Sequence, residues 1–204
     1  AILDMLAGDD EPVHLVRFDT RAAAARLLEN PLVQEADVIR RWPSSLDIYI
    51  RERRPAAVLL GASSARLVDD TGLVFAEALS RDLLDDRLPV LTLAGRENPG
   101  LGENIPAEFR EAAFLYADVL ATTTGRRLPP LSEAHWDPSD GLTLYLANGV
   151  RVRCGRRPPS HTLPRVEALS AKLGGLAGVD SVDVRMDTHL AWTPLGGPQV
   201  AASR

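Results

Sequence analysis

Four histidines and a single cysteine have the widest chemical repertoire in this 204-residue chain. His14, His135, His161 and His189 are expected in loops or at element ends. None belongs to an HExxH or CxxC-type pattern, the spacings that gather imidazoles or thiolates onto one metal ion. No metal site is expected. Cys154 lies on an alternating run beside Val150 and Val152, which suits a buried thiol better than a nucleophile. One cysteine also permits no intrachain disulfide. There is no GxSxG elbow and no P-loop. The glycine-rich stretch GRENPGLGEN, residues 95–104, lacks the lysine and the strand–helix context that hold phosphate, and reads as a loop. Asp69 and Asp70 run directly into Thr71-Gly72, so they read as a solvated turn and not as an acid–base pair. Asp180, Asp183 and Asp187 share no helix face and form no carboxylate dyad. The expectation is a non-enzyme without a cofactor.

What remains is a surface for pairing. Val182, Val184 and Met186 alternate, Asp187-Thr188-His189 is expected to bulge or turn the run, and Leu190 and Trp192 extend it. This is the expected last strand. With residues 196–204 expected to be a disordered tail, nothing follows that could pair with it. A final strand without a successor leaves a row of free N–H and C=O groups, which either needs protection or accepts a strand from another chain. Arg185 and Asp187 give some charge protection. Trp192 beside Leu190 either anchors a partner or covers the core. The expected partner-binding residues are Val182, Val184, Arg185, Met186, Asp187, Thr188, Leu190 and Trp192.

The elements that must position this strand are read in order. Ile2, Leu3 and Leu6 sit at helical spacing, and Gly8 closes that turn. Asp19 or Thr20 caps the helix RAAAARLLEN, stopped at Asn30-Pro31. A hairpin follows around Pro43-Ser44-Ser45. Its second strand alternates Leu46, Ile48 and Ile50 with Asp47, Tyr49 and Arg51, so one face is buried. Beyond Pro55 the pattern becomes mainly β. Arg66–Val68 and Leu73–Phe75 flank the turn at Asp69–Gly72. Pro89–Ala94 is another strand, and Pro106 opens a helix to about Thr123. Asn148-Gly149 joins two alternating runs, a strong hairpin signal. Pro164 is expected to start a helix closed by Gly174-Gly175. The net charge of −5 argues against a nucleic-acid partner. The arginine pairs at 40–41, 53–54, 126–127 and 156–157 are scattered and read as solvated faces and strand ends.

Three stretches carry a family resemblance. ENPLVQEADVIRRWPSSLDIYIRERRPAAVL, residues 29–59, resembles the signature of the FtsQ/DivIB cell-division proteins, in which a helix ending in Asn-Pro leads into a WP-centred hairpin. LVDDTGLVF, residues 67–75, is similar to the motif that opens that family's second domain. SVDVRMDTHLAWTPL, residues 181–195, resembles its closing strand, with Met186 in place of the usual tyrosine. The resemblance implies an α+β chain. A small POTRA domain, helices packed on a short sheet, would occupy residues 1–57, with its first strand missing. A larger, mainly antiparallel β domain with helices on one face would occupy residues 58–195.

The resemblance also implies a division scaffold without catalysis. It would be held in the inner membrane by a single span upstream of Ala1, with this region on the extracytoplasmic side at the septum. Its partners would be FtsB- and FtsL-like proteins, met by strand addition at Val182–Trp192, and other division proteins met through the POTRA domain. The competing expectation is a POTRA-containing chaperone of outer-membrane protein assembly, which would continue into a barrel or further POTRA units.

Overall fold

A capped helix, α1 (Thr20–Leu28), opens the described part of the chain. Asp19 Oδ1 accepts from the backbone N–H groups of Arg21 at 2.9 Å and Ala22 at 3.1 Å, satisfying donors that the first turn leaves without a helical partner. The computed structural model describes residues 18–79, 88–107, 109–110, 128–157, 159–198 and 200–203. The expected helix at residues 1–7 and His14 lie outside them. So do Arg126 and Arg127 and all but the start of the helix expected from Pro106. The chain divides into two units, Ala1–Arg54 and Pro55–Arg204.

In the first unit β1 (Val33–Arg41) and β2 (Ser45–Glu52) form the expected antiparallel hairpin, with Val38 opposite Ile48 and Ala36 opposite Ile50. Ala23, Leu27 and Val38 make its buried centre, and Leu46, Ile48 and Ile50 pack against them half-buried. The other face is a charged ladder, with Arg41 paired to Asp47 at 2.6 Å and Arg51 to Glu35.

The second unit is one open sheet of ten strands. They are β3 (Ala57–Leu60), β4 (Ala65–Val68), β5 (Val74–Glu77), β6 (Val90–Leu93), β7 (Leu131–Asp137), β8 (Gly141–Leu146), β9 (Arg151–Gly155), β10 (Val179–Asp183), β11 (His189–Pro194) and β12 (Val200–Ser203). Their spatial order is β12-β11-β10-β9-β8-β7-β6-β3-β4-β5. The β9–β10, β3–β6 and β6–β7 contacts are parallel and the others antiparallel. A parallel contact needs a crossover. For β9–β10 it is α2 (Pro159–Leu173), whose Leu163, Val166 and Leu169 join the main core with Leu142, Leu144, Val152, Cys154 and Val182. Phe109 lies fully buried in the same core, 6.4 Å from the ring centre of Trp136.

Several expectations are met and several are corrected. Asn148-Gly149 does join the antiparallel pair β8–β9, with Gly149 at φ +85°. The Asp69–Gly72 turn joins β4 to β5, but Asp69 is fully buried and not solvated. Its Oδ1 accepts from the Thr71 and Leu73 N–H groups, both at 2.9 Å, and from the Thr71 hydroxyl at 2.6 Å. Backbone donors of the turn replace water around the carboxylate.

Helix α2 starts at Pro159, so Pro164 lies inside it; a first-turn proline costs no helical bond, and Pro164 forgoes only one. His135 is not at an element end but within β7. The largest corrections concern the chain's end. The last strand expected over Val182–Trp192, with a bulge or turn at Asp187-Thr188-His189, is two antiparallel strands, β10 and β11, and the connection between them already begins at residue 184 and runs to 188. The tail expected to be disordered supplies β12, antiparallel to β11.

Candidate functional site

The C-terminal margin of the large sheet is built from β10, the 184–188 connection, β11 and β12. β10 runs between β9 and β11, so Val182 is an interior-strand residue and fully buried. Val184 is also fully buried, and its N–H donates to Arg153 O at 3.0 Å. Leu190 is buried in the main core. These three residues cannot meet a partner as surface groups, because alternation turned their side chains inward and ladder bonds hold their backbone. Trp192, opposite Val182, packs half-buried on the edge of the core. It covers the core and still keeps part of its ring in solvent.

The remaining expected residues stand out from the connection. Met186 is 63% exposed, unusual for an apolar side chain of that size. Asp187 pairs with Arg157. The Thr188 hydroxyl meets His189 Nδ1 at 2.6 Å. Arg185 gives Asp183 a two-pronged contact, Nε at 3.0 Å to Oδ1 and Nη2 at 2.7 Å to Oδ2. Burial raises the Asp183 pKa, but the hydrogen bonds from Arg185 and the nearby Arg153 charge outweigh it and hold the carboxyl below its usual value. The same contact raises the Arg185 guanidinium above its ordinary range.

Two arginines that sequence reasoning did not single out fix this connection. Arg165 of α2 donates through Nη1 to Val184 O at 3.0 Å and Met186 O at 2.6 Å, and through Nη2 to His189 O at 2.5 Å. Arg157 donates from Nε to Arg185 O at 2.7 Å. The planar guanidinium can serve several carbonyls at once, which an ammonium on a flexible stem does less well. Arg157, expected on a solvated face or at a strand end, is a tether. Nothing local in the sequence marks either contact, because the partners lie 19 to 30 residues away.

Elsewhere the polar groups form structural pairs. Asp180 meets Arg151 at 2.7 Å, so the three late aspartates each hold their own arginine. On the face of the sheet away from the main core, Thr92 Oγ1 lies 2.7 Å from both Glu133 and His135 Nδ1. The hydroxyl has one proton, so it donates to one neighbour and accepts from the other, a cross-strand polar ladder over β6 and β7. Among the described residues no group of three or more His, Cys, Asp or Glu is placed to hold a metal ion. Also among them, no helix is long and apolar enough to cross a membrane.

A small helix-and-hairpin unit ahead of an open mixed sheet defines a two-part α+β protein whose recognisable feature is a strand margin. Residues 2–53 match the family model described as POTRA domain, FtsQ-type, and residues 57–185 match that described as Cell division protein FtsQ/DivIB, C-terminal. The chain belongs to the FtsQ/DivIB family of cell-division proteins. It is 36% identical over 162 residues to a Cell division protein FtsQ of Anaeromyxobacter sp. (strain K), covering 78% of this chain and 53% of the relative. With a protein of the same name from Geobacter sp. (strain M21) it shares 28% over 169 residues, 82% of this chain and 61% of the relative. With that of Streptomyces collinus it shares 28% over 180 residues, 85% and 65% respectively. The chain thus spans little more than half to two thirds of these relatives. The C-terminal family match ends at Arg185, so the roles of β11 and β12 rest on the geometry above.

Proposed function

We propose that this chain is the extracytoplasmic part of a single-span inner-membrane division protein and acts as a non-enzymatic scaffold. It engages FtsB- and FtsL-like partners at the C-terminal margin of its large sheet, chiefly by strand addition, and so links early and late division proteins and regulates septal peptidoglycan synthesis. The POTRA unit serves other division proteins. The observation that carries the docking mode is the placement of β11. Among the described residues its inner side is paired with β10 and its outer side with the four-residue β12, the margin strand of the sheet. Main-chain pairing there would supply affinity, and Met186, Asp187, Thr188 and the open part of Trp192 would supply selectivity. Val182, Val184 and Leu190 support the margin from the core.

Site-specific photo-crosslinking with the co-expressed FtsB- and FtsL-like pair tests this. A crosslinker at Met186 or Thr193 should capture the partner, and one at Ala76, on β5 at the opposite margin, should not. Capture at Ala76 alone, or no complex at all, would refute the reading.

A further inference from the structure

The strand that caps β11 is a weak occupant of a strong site. Among the described residues β12 pairs with β11 over four positions, His189–Ser203, Leu190–Ala202, Ala191–Ala201 and Trp192–Val200. Its sequence, Val-Ala-Ala-Ser, is poor in the β-branched and aromatic residues that favour strands. It reaches the margin through a tight reversal at Leu195–Pro198, where Gly197 N–H donates to Pro194 O at 3.0 Å and Gly196 takes φ +75°. The inner side of β11 is held quite differently. It pairs with β10, Arg165 grips the His189 carbonyl, and Leu195 N–H donates to Gly178 O at 2.9 Å. One side of β11 is therefore firmly fixed, and the other is satisfied by the four residues of β12.

We infer that β12 is a placeholder, a pseudo-partner strand that occupies the outer edge of β11 and must leave before a guest strand can pair there. This rests on the scaffold reading and adds a regulatory step to it. The guest and β12 compete for the same N–H and C=O groups, so every partner pays for the opening of β12. The apparent affinity falls by the fraction of chains in which the edge is free. A guest with a longer strand and larger side chains wins the exchange.

Two variants test the exchange, with affinity for the FtsB- and FtsL-like pair measured by calorimetry. Removing residues 199–204 should tighten binding, on the order of tenfold if the edge is free in about a tenth of the chains. In the double variant Ala191→Cys with Ala201→Cys, a disulfide would lock β12 in place. These residues face each other across the antiparallel pair, at a spacing a disulfide spans. The oxidised form should lose binding at least tenfold, and a reductant should restore it. Unchanged affinity in the truncated chain, or full binding by the locked chain, would overturn the placeholder and leave the scaffold reading standing. Weaker binding after truncation would mean that the guest builds on β12 itself, which also overturns it. Binding by none of the three chains would refute the scaffold reading and the placeholder with it.

Discussion

Replacing Arg165 with Gln should loosen the 184–189 connection without unfolding the sheet. The guanidinium serves three carbonyls, of Val184, Met186 and His189. A hydrogen bond from a charged donor contributes about 1.5–3 kcal/mol where solvent cannot replace it. Only the Val184 contact is part-buried; the Met186 and His189 contacts are exposed, so water would take over most of their share. The expected loss is therefore about 2 kcal/mol, and not the sum of three strong bonds. With an m-value of about 2 kcal/mol/M the urea midpoint of the large unit should fall by about 1 M at unchanged slope. Amide exchange should quicken at residues 184–189 and stay slow in β8. Arg165→Lys should fall between the two, since an ammonium cannot bridge all three carbonyls in a plane. A midpoint shift below about 0.2 M with unaltered exchange in the connection would refute the tether.

Asp183 predicts an acid sensitivity. Its pKa is lowered in the folded chain, so its contribution is complete above the unfolded value of about 3.9 and is lost as the pH falls through the folded value. Acid titration followed by the β10–β11 amide signals should show this loss, and Asp183→Asn should remove that part of the pH dependence. Gly141→Ala should destabilise the large unit by about 2–4 kcal/mol, from positive φ and overpacking together. Gly141 has φ +78°, and an added Cβ would stand 2.4 Å from the carbonyl carbon of Gly155, a backbone atom that cannot swing aside; urea melts read the change. Leu27 is 1% exposed at the centre of the small unit, and Leu27→Ala should cost about 2–5 kcal/mol there while exchange in the large sheet stays unchanged.

Local signals in the sequence were reliable and non-local ones were not. The Leu46, Ile48, Ile50 alternation, a cap at Asp19 or Thr20 and the Asn148-Gly149 turn all describe neighbours in the chain, and each has its counterpart in the structure, with Asp19 as the cap. A turn or bulge at Asp187-Thr188-His189 is legible, but its start at Val184 is hidden, because Val182, Val184 and Met186 keep a period of two through the point where the ladder stops. Side-chain alternation says nothing of a carbonyl being captured by a distant arginine. β12 was illegible for a related reason. Only Val200 in Val-Ala-Ala-Ser favours a strand; pairing along the edge of β11 imposes the rest, as tertiary context often overrides weak β preference. The turn at Asp69 is legible but the burial of Asp69 is not, because it depends on the Thr71 and Leu73 groups that donate to its carboxylate.

The short strand at the sheet's margin has a consequence for how copies of the protein tolerate one another. An uncovered six-residue β11 would invite the same strand of a second molecule, and sheet margins of that kind seed clumping. Four small residues at the rim shorten the exposed ladder. Where many molecules crowd together, a shorter rim strand offers a neighbouring copy fewer backbone groups to zip onto than β11 would.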